Sequence, residues 1–267
     1  MQIRYSSLLF YSLPTENFSH KRHLLNYKTY SGKTTSGSVK RIKKAVDMLL
    51  QLSPPRWIMN TVSGRKEEHT LSFITLTIPG NERHLEANEG HKLLLAPWLL
   101  KMKRKFGMKT YIWKAEFQKN GQLHYHITTP TWIPYFEIRD NWNNGLSKAK
   151  MLENWFTVHP STMPNSTDVH KVYKVENIQA YLSKYLAKEN KDRVTKGKIW
   201  DCSIDIKEAK FFSFPEPSNI ENLIDLSTVK SSEHCSFLYY KNPSSILPVK
   251  IQNDYKKYLQ AILVSNE

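Results

Sequence analysis

The stretch "EFQKNGQLHYHIT" sets His124 and His126 one residue apart, eight and ten residues after Glu116. On a β-strand, residues i and i+2 point to the same side, so the two imidazoles share a face. The intervening turn decides whether the carboxylate joins them. A two-residue Asn-Gly loop sets Phe117 opposite His124 and turns Glu116 away. A three-residue loop, Lys119-Asn120-Gly121, is a type I turn closed by a left-handed glycine bulge. It pairs Glu116 with His124 and Lys114 with His126. The sequence permits both turns, and the three-residue loop is the expected one. Glu116, His124 and His126 then form a three-ligand divalent site with open positions. Nitrogen and oxygen donors without thiolate leave Mg²⁺, Mn²⁺ and Zn²⁺ open. Tyr125, between the histidines, points into the opposite face and packs. The bland alternative is a pair of histidines on a solvated face.

"YLSKYLAK" (181–188) carries a second set of reactive groups. On a helix Tyr181, Lys184, Tyr185 and Lys188 form one stripe, at i, i+3, i+4 and i+7. Leu182 and Leu186 fall on another stripe and can face the core. A surface stripe with snorkelling lysines is the bland reading. The chemical one is two phenol nucleophiles, each with a cation at hand. A phenol with an ordinary pKa of about 10 is mostly protonated at neutral pH. Nearby ammoniums or a metal-activated electrophile lower the barrier to its attack. The two sets fit one reaction. A divalent cation polarises a phosphodiester, a tyrosine attacks phosphorus in line, and the 3′-hydroxyl leaves. The phosphotyrosine keeps the bond energy, so the strand can be rejoined without ATP.

These groups need a scaffold. "HTLSFITLTIPG" (69–80) alternates as a strand, with Phe73, Thr75 and Thr77 on one face and Ile74, Leu76 and Ile78 on the other. "KTYIWKAEF" and "QLHYHITT" form the hairpin. "DVHKVYKV" (168–175) and "KIWDCSIDI" read as further strands. Helices are expected over 38–53, capped by Ser38 and ended by Pro54 and Pro55, and over 89–107 on either side of Pro97. Residues 131–156 read as a helical segment interrupted near Gly145. Asn177 caps the tyrosine helix, and "QNDYKKYLQAIL" is a final helix. The class is α+β, an antiparallel sheet with helices on one face. Three parts are expected: an N-terminal extension over 1–65, the nuclease domain over 66–210 and a C-terminal extension over 211–267.

Composition narrows the partners. Lys plus Arg number 39 against 24 Asp plus Glu, a net charge of +15. The excess points to polyanions, and basic clusters at 20–28, 40–44 and 101–109 lie among aromatics. Cations for phosphates and rings for unstacked bases suit single-stranded nucleic acid. No apolar run is long enough to cross a membrane. No signal peptide is read at the N-terminus. Cys202 and Cys235 form no CxxC pair, so a reducing cytoplasm is expected. "SGKTT" (31–35) lacks the glycine five residues before Gly32 that a phosphate loop needs, and it reads as a plain loop.

In this order the motifs resemble those of HUH endonucleases, specifically rolling-circle replication initiators. "FITLT" (73–77) resembles their first motif and "HYH" their second, His-hydrophobic-His. "YLSKYLAK" is similar to the paired-tyrosine third motif of single-stranded DNA phage initiators. "GKIWDCS" (197–203) resembles the strand that follows. The resemblance covers about 69–205, with the His pair ahead of the tyrosines as in initiators and not in relaxases.

It implies a ferredoxin- or RRM-like sheet with the His motif on a central strand, and Mg²⁺ or Mn²⁺ on His124, His126 and Glu116. It implies that Tyr181 and Tyr185 take turns in nicking and rejoining origin DNA, with Lys184 and Lys188 at the scissile phosphate. Thr75, Thr77 and Lys114 are expected to support the site or touch DNA. The implied setting is a phage or plasmid genome in a bacterial cytoplasm. Single-stranded or supercoiled origin DNA is the partner, with a host helicase and polymerase completing replication. The alternatives are a transposase of the same superfamily, a non-catalytic single-stranded nucleic-acid binder and a hydrolase using water.

Overall fold

The computed structural model describes residues 1–3, 7–11, 35–61, 63–80, 82–172, 178–187, 195–214, 229–232, 235–239 and 247–264. The chain begins with β1 (Gln2–Ile3), β2 (Ser7–Tyr11), α1 (Ser36–Gln51), β3 (Arg56–Asn60), β4 (Arg65–His69) and β5 (Ser72–Thr77). Then come α2 (Ala87–Gly90), a π-helical turn (His91–Leu95), α3 (Ala96–Phe106), β6 (Ile112–Phe117) and β7 (Leu123–Thr129). α4 (Tyr135–Lys148), α5 (Glu153–Val158), β8 (Thr167–Lys171) and α6 (Ile178–Ala187) follow. β9 (Trp200–Cys202), α7 (Ile204–Glu208), β10 (Val229–Ser232), β11 (Cys235–Tyr239) and α8 (Val249–Val264) complete the order.

The central sheet has five strands in the order β8-β5-β7-β6-β9, all pairs antiparallel. The fold is therefore α+β, with β7 in the middle. Helices cover both faces of this sheet, not the one face expected from the strand pattern. The reason lies in the strands. Ile74, Leu76, Trp113, Tyr125 and Ile127 bury one face under Leu94, Leu95, Trp98, Met102, Ile138 and Trp142 of the α2–α4 layer. Phe73 and Ile112 make one end of the other face apolar too. They pack with Ile42, Val46 and Leu49 of α1 and Leu182 and Leu186 of α6. Further along that face the same strands turn polar, at Thr75, Thr77, Lys114, Glu116, His126 and His124. The helices cover the apolar end, and the polar end holds the candidate chemistry.

Two features fix how the α2–α4 layer sits. A Cβ at Gly90 would lie 2.4 Å from Leu123 Cδ1 and 2.4 Å from Tyr125 Oη, so only glycine lets this helix approach β7 so closely. Trp142 donates its indole N–H to the Thr77 carbonyl at 2.9 Å, tying α4 to the polar end of β5.

Several local expectations are corrected. Thr35, not Ser38, caps α1, its hydroxyl accepting from the Ser38 N–H at 3.2 Å. α4 runs through Gly145 without a break, and a separate α5 follows. "KIWDCSIDI" is a strand only at Trp200–Cys202, after which Ser203 caps α7. The β3–β4 hairpin has no counterpart in the sequence reading. A four-stranded sheet, β1-β2-β11-β10, joins the N- and C-terminal segments through the β2–β11 pair. The basic cluster at 20–28, the loop at 31–34, strand positions 173–175, Asn177 and Lys188 lie outside the described residues.

Candidate active site

The turn settles the register. Gly121 has φ 81, its N–H donates to Gln118 O at 2.8 Å, and Gln118 N–H donates to Gln122 O at 2.9 Å. This is the three-residue loop, and it pairs Glu116 with His124 and Lys114 with His126. β5 adds Thr77 opposite His124 and Thr75 opposite His126. Directly opposed residues share a face. One row across the sheet therefore reads Asp168, Thr75, His126, Lys114, Trp200, and the next holds Thr77, His124 and Glu116.

Each imidazole is held from behind. Thr75 Oγ1 lies 3.2 Å from His126 Nδ1, and Thr77 Oγ1 lies 3.1 Å from His124 Nδ1. A threonine hydroxyl accepting Nδ1–H leaves Nε2 with its lone pair, the form in which imidazole binds metals. Gln118 Nε2 also lies 3.2 Å from His124 Nδ1, so its amide orientation helps choose the tautomer. The Phe73 ring stacks on His126 at 5.3 Å, and the two imidazole centroids are 4.5 Å apart. Burial, reinforced by the neighbouring His126 and opposed by Glu116, lowers the His124 pKa to about 4. His124 is thus neutral at neutral pH.

Glu116 closes the group. One carboxylate oxygen lies 3.4 Å from His126 Nε2, and the other accepts from Lys114 Nζ at 2.9 Å. Burial raises its pKa, but the hydrogen bonds from His126 and Lys114 and the Lys114 charge outweigh that and hold it at about 2. Lys114 itself is only 1% exposed. Its ammonium sits within the group, bonded to Glu116, rather than on the surface. Among the described residues no three His, Cys, Asp or Glu side chains stand as a ready-made metal cage. The donor chemistry nonetheless fits a divalent cation: a carboxylate held ionised, a neutral imidazole, and hydroxyls fixing both rings. The 3.4 Å gap between Glu116 and His126 suits two donors to one ion, each roughly 2.0–2.2 Å from it.

The tyrosine helix lies on the same side of the sheet. Leu182 and Leu186 are buried in the cluster that holds Phe73, and Tyr181 and Lys184 are exposed, Tyr181 by 41%. The two stripes separate as the helical spacing requires. Tyr185 lies within α6, and its side chain is outside the described residues, as is Lys188.

Sequence reasoning missed Gln118, Asp168 and Trp200 as neighbours of this site. The Asp-x-His alternation of "DVHK" was a usable signal. Asp168 stands opposite Thr75 and lies 2.5 Å from the His170 ring nitrogen Nε2. Trp200 had no signal of its own, because its place follows from β9 pairing with β6.

Residues 71–190 match the model of a family described as replication-associated protein, of the ORF2 type. The match runs from the start of β5 past the end of α6 and so includes the threonines, the His pair, Glu116 and both tyrosines. No curated protein and no solved structure gives a match. Among the described residues no helix is long and apolar enough to cross a membrane.

Proposed function

We propose that this protein initiates replication by nicking and rejoining DNA through a phosphotyrosine. The observation that carries the reading is the polar end of the central sheet. There Glu116, His124 and His126 stand side by side, with the rings backed by Thr77 and Thr75. The family match over 71–190 supports a role in replication.

His124, His126 and Glu116 would hold a divalent cation, Mg²⁺ or Mn²⁺. When bound, it supplies charge that polarises a phosphodiester and steadies the oxygens of an in-line displacement. The chain's own residues do the rest. Thr75, Thr77 and Gln118 orient the imidazoles. Lys114 keeps Glu116 ionised and placed. The phenol of Tyr181 or Tyr185 forms the new P–O bond as the bond to the 3′-oxygen breaks. The phenolic proton passes to solvent or to the leaving oxygen, which becomes a free 3′-hydroxyl. Lys184 and Lys188 balance the charge of the scissile phosphate. Reversal of the step by a 3′-hydroxyl rejoins the strand and frees the tyrosine, with no nucleotide cofactor consumed.

Purified protein with Mn²⁺ and single-stranded DNA is expected to cut, and the double variant Tyr181→Phe, Tyr185→Phe to leave the DNA intact. Cleavage that survives loss of both tyrosines would replace this mechanism with hydrolysis by water.

A further inference from the structure

A cleft of about 420 Å³ opens between α1, the edge strand β9 and α7. Its lining among the described residues includes Arg41, Lys44, Lys198, Trp200, Asp201 and Lys207. Four cations thus face a single carboxylate. Asp201 is already committed, at 3.1 Å to Lys198 and 2.8 Å to Lys207. Arg41 donates to the neutral Ser38 hydroxyl at 3.2 Å, and the Lys44 ammonium lies 5.8 Å from the Phe211 ring centre. The cleft therefore keeps a net positive lining, and the half-buried Trp200 gives it an aromatic one.

Its position ties it to the candidate site. Trp200 pairs with Lys114, and Lys114 pairs with His126, so all three share the histidine face. Two strand spacings, about 10 Å, separate Trp200 from His126. A polynucleotide crossing the histidine group would carry a neighbouring nucleotide into the cleft.

We propose that this cleft is a nucleotide-binding subsite for the single strand next to the reacting phosphodiester. The base stacks on Trp200, and its phosphate meets Arg41 and Lys44. The assignment rests on the nicking function proposed above, but it commits to a separate contact. It also gives a role to the basic cluster at 40–44, which the histidine group does not use. Charge complementarity and a ring beside guanidinium and ammonium groups favour a strand over an isolated anion.

The test is binding of a fluorescein-labelled, random-sequence single-stranded oligonucleotide to the full chain, with chelator present so that no cutting occurs. Trp200→Ala is expected to weaken binding roughly 5- to 150-fold, the range of about 1–3 kcal/mol for one stacked base. Trp200→Phe keeps a ring and is expected to retain most of the affinity. Arg41→Gln should lower the slope of log K against log salt by about 0.7. Wild-type affinity in Trp200→Ala together with a wild-type salt slope in Arg41→Gln would overturn the subsite.

If Trp200→Ala does not fold, Arg41→Gln and Lys44→Gln decide, since both replace surface cations on a helix. Displacement of the oligonucleotide by low concentrations of free dAMP would assign the cleft to a soluble nucleotide and overturn the strand assignment. The nicking assay with Mn²⁺ separates the two claims. A protein that nicks normally as Trp200→Ala, with unchanged binding, loses only the subsite. One that binds through Trp200 and never nicks loses only the nicking function.

Discussion

At the scale of single residues, the account depends on hydroxyls that point imidazoles. Thr75→Val and Thr77→Val keep the side-chain shape and remove the partners of His126 Nδ1 and His124 Nδ1. Loss of such a supporting group typically costs 10–100-fold in metal affinity or activity. Each variant is expected to need more Mn²⁺ for the same nicking rate, measured by a metal titration, with its melting temperature little changed. An unchanged titration in both would remove the threonines from the site.

Two histidines also set an acid limit on stability. Burial, reinforced by the Arg56 charge, lowers His69 to about 4, and burial and His126 do the same for His124. Both fall below the unfolded value near 6.5. Between the two values the unfolded chain binds more protons, so stability is full above about 6.5 and drains away as the pH falls towards 4. For His69, which is 1% exposed, the loss reaches on the order of 3 kcal/mol. Denaturant melts across this range should show the decline, and His69→Leu should flatten part of it.

At the scale of elements, close approach is the decisive feature. Gly90→Ala drives a methyl into Leu123 and Tyr125, directly beneath the histidine strand. Overpacking of this kind costs about 1–3 kcal/mol. Denaturant unfolding should show a lower midpoint at unchanged slope. Wild-type stability would mean that the helix can shift away from β7.

The strands were legible because their alternation is strong. Phe73, Thr75 and Thr77 against Ile74 and Leu76 define β5, and Gly121 in the turn fixed the hairpin register and with it the partner of Glu116. Leu182 and Leu186 likewise marked the buried side of α6. What was not legible had weak local signals. "RWIMN" and "RKEEH" form β3 and β4 with mostly exposed side chains, so no buried face wrote a pattern into them. Gly145 sits mid-helix because the buried Trp142 and Leu146 on either side of it hold α4 to the core. The helices on the histidine face followed from Phe73 and Ile112, which the strand pattern alone could not assign to a second layer. The position of Trp200 beside the site depends on a long-range strand pairing that no local window contains.

At the scale of the whole molecule, the histidine group, the tyrosine helix and the basic cleft all lie on one side of a five-stranded sheet. The other side is closed by a large apolar core. A chain with 39 basic residues against 24 acidic ones can hold a single strand along the open side while a phenol reacts. The most direct test of that central claim looks for the covalent bond itself. The protein is incubated with pooled random single-stranded DNA and Mn²⁺, denatured, and any protein–DNA adduct is mapped by mass spectrometry. The account predicts an adduct on Tyr181 or Tyr185 that disappears with chelator and in His124→Ala. Cut DNA with no adduct, or strong binding with neither cut nor adduct, would contradict it.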